Sequence, residues 1–213
     1  MGNFFEEIVS DFNNDIKYEK GTRDPMDRFY REVWGVTDIE VEDYDTESGK
    51  INQRKDRDVL LTSKNGRKVY VSEKSRRGKW DDILIEIYSV YPRKLGWSVH
   101  SEADIIAYVR TQQNLVTEIS VKTLLPVANQ ILRTLDPGVI ERLIRGGNKS
   151  QMIKLFLYGK DVPCRLICAR NRGYETISVA ISDSDLKQMG VNMRDFPFNA
   201  VNESKVSFLD ILE

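Results

Sequence analysis

DRDVLLTSKNGRKVYVSEKSRRGKWDDILIE, residues 56–86, carries the strongest structural signal in this chain of 213 residues. It reads as a strand, a tight turn, a second strand and a helix. Val59-Leu60-Leu61 and Lys68 to Ser72 are strand-like runs joined by Lys64-Asn65-Gly66, and Asn-Gly is the strongest short-range hairpin signal. Trp80 to Tyr91 is then expected to be a helix. It is apolar round most of its circumference (Ile83, Leu84, Ile85, Ile87, Tyr88, Val90, Tyr91), which predicts packing between other elements. Acids sit on the first strand and on this expected helix. Lys74 closes the second strand, with arginines just behind it. Carboxylates that can hold a hard divalent cation beside a lysine suit metal-assisted phosphodiester cleavage.

On the N-terminal side, residues 24–34 are a well-signalled helix. Asp24 serves as N-cap, Pro25 as the first helical residue and Gly35 as the stop. Met26, Phe29, Tyr30, Val33 and Trp34 recur at helical spacing, so one face is core. Residues 3–12 are expected to form a short helix. Residues 36–55, polar and acidic, read as a loop or weak hairpin.

On the C-terminal side, Asp104 to Thr111 and Leu115 to Val121 read as strands joined by Gln112-Gln113-Asn114. Thr123 to Leu135 reads as a helix that tolerates Pro126 in its first turn. Pro137 to Ile144 reads as another, stopped by Gly146-Gly147. Ile153 to Leu157, Arg165 to Ala169 and Thr176 to Ile181 are strand candidates, and Asp183 to Met189 is a short helix closed by Gly190. The fold expected is α/β: a single domain with a central mixed β-sheet flanked by helices, a core in 24–135, and further strands and a helix in 150–213.

Composition bounds the rest. Hydrophobic content of 40% and charged content of 31% fit a globular chain. No apolar run reaches the length of a membrane span, and MGNFFEEIVSDF lacks the basic start and apolar stretch of a signal peptide. The expectation is an intracellular, cytoplasmic protein with no membrane partner. Cys164 and Cys168 lie four apart on an expected strand, ~13 Å at ~3.3 Å per residue, too far for a disulfide. With a single histidine, His100, a zinc site has little support. No GxSxG, Walker A or GxGxxG pattern occurs.

Net charge is −1, yet it is unevenly placed. Lys64 to Lys79 holds seven bases (Lys64, Arg67, Lys68, Lys74, Arg76, Arg77, Lys79) against one acid, Glu73. Asp38 to Glu47 holds six acids and no base. A basic hairpin beside carboxylates suits a phosphate backbone held over a metal. A solvated charged face is the plainer alternative.

Asp58, the Ser72-Glu73-Lys74 tripeptide and Glu86 together resemble the PD-(D/E)xK nucleases, the restriction-endonuclease-like superfamily, over about 50 residues. The resemblance implies that Asp58 binds a metal, Mg2+ or Mn2+, and that Lys74 positions or activates the attacking water. It departs at Ser72, where the superfamily usually has an acid. Glu73 reaches the Lys74 face only if the strand bulges, and Asp56 shares a strand face with Asp58 and rivals it. Some restriction endonucleases of the superfamily carry a serine here and move the acid to the following helix, as Glu86 would. Asp82 and Glu86 pairing with Arg76, Arg77 or Lys79 is the alternative.

The resemblance therefore implies a metal-dependent nuclease, with Asp58, Glu73, Lys74 and Glu86 as catalytic residues and Asp58, Glu73 and Glu86 as metal ligands. Lys64, Arg67, Lys68, Arg76, Arg77 and Lys79 would contact nucleic acid, with DNA favoured over RNA. The alternative is an inactive nuclease-like module that binds nucleic acid or a protein partner. Oligomeric state, a homodimer included, stays open.

Overall fold

A computed structural model describes residues 23–76, 78–171 and 173–198. In chain order its elements are α1 (residues 23–32), β1 (Val36–Val41), α2 (Glu47–Arg54), β2 (Val59–Ser63), β3 (Lys68–Arg76), β4 (Asp82–Val90), β5 (Lys94–Leu95), β6 (Ile105–Arg110), β7 (Leu115–Ser120), α3 (Val121–Thr134), α4 (Pro137–Arg145), β8 (Ser150–Leu157), β9 (Lys160–Asn171), β10 (Tyr174–Ser182), α5 (Asp183–Gln188) and β11 (Met193–Pro197). The chain is thus an α/β fold with a mixed sheet and, among the described residues, five helices. The expected helix at 3–12 lies outside the described residues, as does Arg77.

Where one central sheet was expected, the described residues form two, and the chain divides into two compact units. The expected core span 24–135 is shared between them.

The first unit takes its described residues from 23–80, 101–122 and 192–198. Its sheet has the order β1-β2-β3-β6-β7-β11. Only β3 and β6 are parallel; every other neighbouring pair is antiparallel. A parallel neighbour requires a crossover, which here carries β4 and β5. The β2–β3 hairpin turns as Asn65-Gly66 predicts. The Gly66 N–H donates to the Ser63 carbonyl at 2.9 Å, and Gly66 has φ +80°, a conformation that a residue with Cβ rarely adopts.

Helix α1 buries the face its spacing marks. Met26, Phe29, Tyr30, Val33 and Trp34 pack on Val59, Leu61, Val69, Val71, Ile105, Ala107, Val109, Val116 and Phe196. Phe29 is the hub, edge-on to Tyr30, Trp34 and Phe196 at 5.9, 5.4 and 6.0 Å between ring centroids. Each such fully buried large side chain contributes about 1.5–3 kcal/mol.

The acidic stretch expected as a loop or weak hairpin is ordered as β1 and α2. Thr46 caps α2, its hydroxyl accepting from the Gly49 N–H at 3.0 Å. Glycine is required at 49 by close approach: a Cβ there would stand 1.9 Å from the Asp43 carbonyl oxygen.

The second unit comprises Asp81–His100 and the described part of Thr123–Val191. Its sheet has the order β5-β4-β10-β9-β8, antiparallel throughout. Here the expected helix at Trp80–Tyr91 is corrected. The stretch is β4, with Ile83, Ile85 and Ile87 fully buried and alternating with Asp82, Leu84 and Glu86. β-branched residues at period 2 favour a half-buried strand; counting apolar residues without their period hid this. Cys164 and Cys168 are free, buried thiols on β9. No helix of the described residues is long and apolar enough to cross a membrane.

Candidate active site

Asp58 lies one residue before β2, where its N–H donates to the Val71 carbonyl of β3 at 3.0 Å. That pairing sets its side chain beside Ser72. Oδ2 accepts from the Glu73 N–H at 2.7 Å and the Ser72 hydroxyl at 3.2 Å, and Lys74 Nζ stands 3.5 Å away. Oδ1 accepts from the Tyr44 phenol at 2.5 Å. Burial first, and the Asp58 charge second, push the Tyr44 phenol up, so it remains a protonated donor.

Lys74 reaches this pocket because residues two apart on a strand share a face, so Ser72 and Lys74 point the same way. Its ammonium bonds Asp56 Oδ1 at 2.7 Å as well as approaching Asp58. Asp56 is only 6% exposed and has φ +59°. Aspartate tolerates that left-handed conformation better than most residues, and such strain concentrates at functional sites. Asp56 Oδ2 is buried with no hydrogen-bond partner among the described residues.

Glu73 does not join them. It points to the opposite face of β3, the α1 face, where Tyr30 donates to Oε1 at 2.7 Å and Arg23 to Oε2 at 3.0 Å. Burial raises the Glu73 carboxyl, with Arg23 and the Tyr30 hydrogen bond pulling against it. No bulge turns it, because β3 pairs β6 without a break from Val71 to Arg76. Ser72 is fully buried. Glu86 lies on β4 of the second unit rather than on a helix, and Asp82 pairs there with Arg165 at 3.0 Å. Among the described residues no group of three or more His, Cys, Asp or Glu is placed to hold a metal ion.

The basic run is split. Lys64, Arg67 and Lys68 are exposed at the hairpin tip, and Arg76 and Lys79 lie at the other end of β3. Lys68 and Arg76 stand eight residues apart, ~26 Å at ~3.3 Å each. The tip is partly answered by the acidic strand beside it, Lys68 standing 3.6 Å from Glu40. Arg76 lies over the Trp80 ring, 5.8 Å from its centroid. Of the described residues of the basic run, Lys74 and Arg76 are the ones on β3 toward the carboxylate end. His100 is held locally in the second unit, its Nδ1 2.7 Å from the Gly96 carbonyl. Asp104 is structural, accepting from the Tyr70 N–H at 2.8 Å.

Comparison with protein-family models, with curated proteins and with solved structures finds no match.

Sequence reasoning missed Tyr44, which has no motif signal, and Glu118. Across the sheet Glu73, Ala107, Glu118 and Arg194 share one row. Glu118 is 2% exposed; Arg194 stands 3.5 Å from Oε1, and Oε2 has no partner among the described residues. Burial pushes its carboxyl from 4.5 to about 7, with Arg194 pulling the other way. Between those pH values the folded chain holds a proton that the unfolded chain has released. Stability therefore falls as pH rises from 4.5 to about 7, by up to about 3 kcal/mol. In Glu118→Gln that slope is expected to flatten in urea midpoints taken across the window. An unchanged slope would assign the proton elsewhere.

Proposed function

We propose that this chain is a metal-dependent nuclease of the restriction-endonuclease-like class, hydrolysing phosphodiester bonds in nucleic acid, DNA foremost. The observation that carries the reading is Lys74 seated against both Asp56 and Asp58, at 2.7 and 3.5 Å. The donor set fits a hard cation: two carboxylates that meet at one ammonium, one with a buried oxygen lacking a partner among the described residues. Mg2+ is commonly held by one or two carboxylates plus substrate phosphates, so Asp56 and Asp58 suffice as protein ligands. A bound Mg2+ or Mn2+ supplies Lewis-acid polarisation of the phosphoryl oxygen and a more acidic water.

The chain's own groups do the remainder. Asp56 and Asp58 hold the charge that attracts the cation. Ser72 and the Glu73 N–H fix Asp58 from β3. Lys74 orients the attacking water and offsets negative charge developing on the phosphate. Arg76 and Lys79 offer sequence-independent contacts to the backbone.

A second reading, an inactive module that binds nucleic acid, is favoured by Ser72 at the motif's acid position and by Glu73 being tied to Arg23 and Tyr30. One experiment separates the two. Purified protein is expected to nick plasmid DNA in Mg2+ or Mn2+ and to stop in EDTA. Asp56→Asn and Asp58→Asn are each expected to lower the rate by about 10²–10³-fold. Undiminished cleavage by both variants would end the nuclease reading. Salt-sensitive DNA binding without cleavage in any metal would establish the second.

A further inference from the structure

The Asp58 carboxylate has unequal oxygens. Oδ2 is crowded, with the Glu73 N–H, the Ser72 hydroxyl and the Lys74 ammonium about it. Oδ1 has one donor among the described residues, the Tyr44 phenol at 2.5 Å. An ionised carboxylate oxygen offers two lone-pair directions, so Oδ1 is the atom with capacity to spare, and Tyr44 is the described donor that meets it.

Tyr44 is also the only one of these donors that does not come from β3. It belongs to the segment between β1 and α2, and that segment is fastened at both sides. The Glu42 N–H donates to the Asp58 carbonyl at 3.0 Å, and Thr46 bonds the Asp43 carbonyl at 2.7 Å through its hydroxyl. The bare Gly49 Cα lets α2 close onto Asp43, the residue before Tyr44. The phenol is thus delivered to Asp58 by built structure.

We infer that Tyr44 is a positioning residue of the cation site, its phenol fixing the Asp58 carboxylate so that Oδ1 keeps a lone pair for a divalent cation. The inference rests on the metal-dependent reading above and adds to it a residue that does not itself touch the cation. Hydrogen-bond partners that orient metal-binding carboxylates typically matter 10–100-fold in affinity.

The test is Mg2+ affinity by calorimetry, together with a spectroscopic signature on the intact chain. Tyr44→Phe keeps the ring and removes only the hydroxyl. It is expected to weaken Mg2+ binding by about 10–100-fold while its unfolding midpoint in EDTA stays near wild type. In protein labelled with 3-fluorotyrosine, the 19F resonance missing from Tyr44→Phe is expected to shift on Mg2+ titration of wild type and to stay still in Asp58→Asn. Wild-type affinity in Tyr44→Phe, or a Tyr44 resonance blind to Mg2+ that Asp58 demonstrably binds, overturns the inference and leaves the metal reading standing. Absence of any Mg2+ binding by wild type at millimolar concentration overturns the metal reading, and the role of Tyr44 with it.

Discussion

Lys74→Met is expected to lower cleavage by about 10²–10³-fold and to destabilise the fold by about 3 kcal/mol. The two effects have one origin. Lys74 answers Asp56 and Asp58 together, and Asp56 is nearly buried, its side chain 8% exposed. Removing one partner of a buried ion pair leaves an uncompensated charge, and that costs more than the pair contributes. Without the ammonium, both carboxylates lose their shared cation and the buried one loses its Lys74 donor. Mg2+ is therefore expected to raise the urea midpoint of Lys74→Met more than that of wild type, since a ligand that binds only the folded state stabilises it by mass action. Equal Mg2+ shifts in both proteins would show that the cation does not occupy the place beside Lys74.

Glu73→Ala is expected to act on stability and leave the cation site alone. Its carboxylate joins α1 to β3 through Arg23 and Tyr30. Tyr30 is fully buried, so its hydroxyl would be left without this acceptor, and among the described residues Arg23 would keep Asp27, at 2.6 Å, as its ion pair. A loss of about 2–4 kcal/mol follows. Glu73→Gln retains an acceptor and is expected to lose less. Mg2+ affinity should match wild type in both, because the group at residue 73 that meets Asp58 is the backbone N–H. A large loss of affinity in Glu73→Gln at unchanged stability would make Glu73 a ligand after all.

Much of the local structure is legible in the sequence where a residue type has one strong physical meaning. Pro25 and Gly35 mark the neighbourhood of the ends of α1, but Arg23 is already helical, so Asp24 lies within the helix rather than capping it. Asn65-Gly66 fixes the hairpin. Gly146-Gly147 and Gly190 close helices. The β4 stretch was misread because Ile83, Ile85 and Ile87 lie among other apolar residues that mask their alternation. That error also placed Glu86 on a helix. The acidic stretch hid β1 and α2 because charge says little about backbone when one face of a short element is all that is buried.

The site was half legible. Asp58, Lys74 and Ser72 follow from strand alternation, and Asp56 was visible as a rival to Asp58. The facing of Glu73 follows from the same alternation; only an assumed bulge brought it into the site. Tyr44 could not be placed, because its partner is 14 positions away through a fold that its own segment does not announce.

The order in which the six-stranded sheet is completed has a consequence during synthesis. Its outer strand β11 pairs with β7, yet the two are separated by residues 121–192. At ribosomal rates that interval lasts roughly 4 to 15 s. Throughout it the Leu115–Ser120 strand, almost entirely apolar or buried in the finished protein, has an open edge able to template another chain. A nascent or prematurely terminated product that stops short of Met193 is thus expected to self-associate more readily than the finished chain, whose last strand covers that edge.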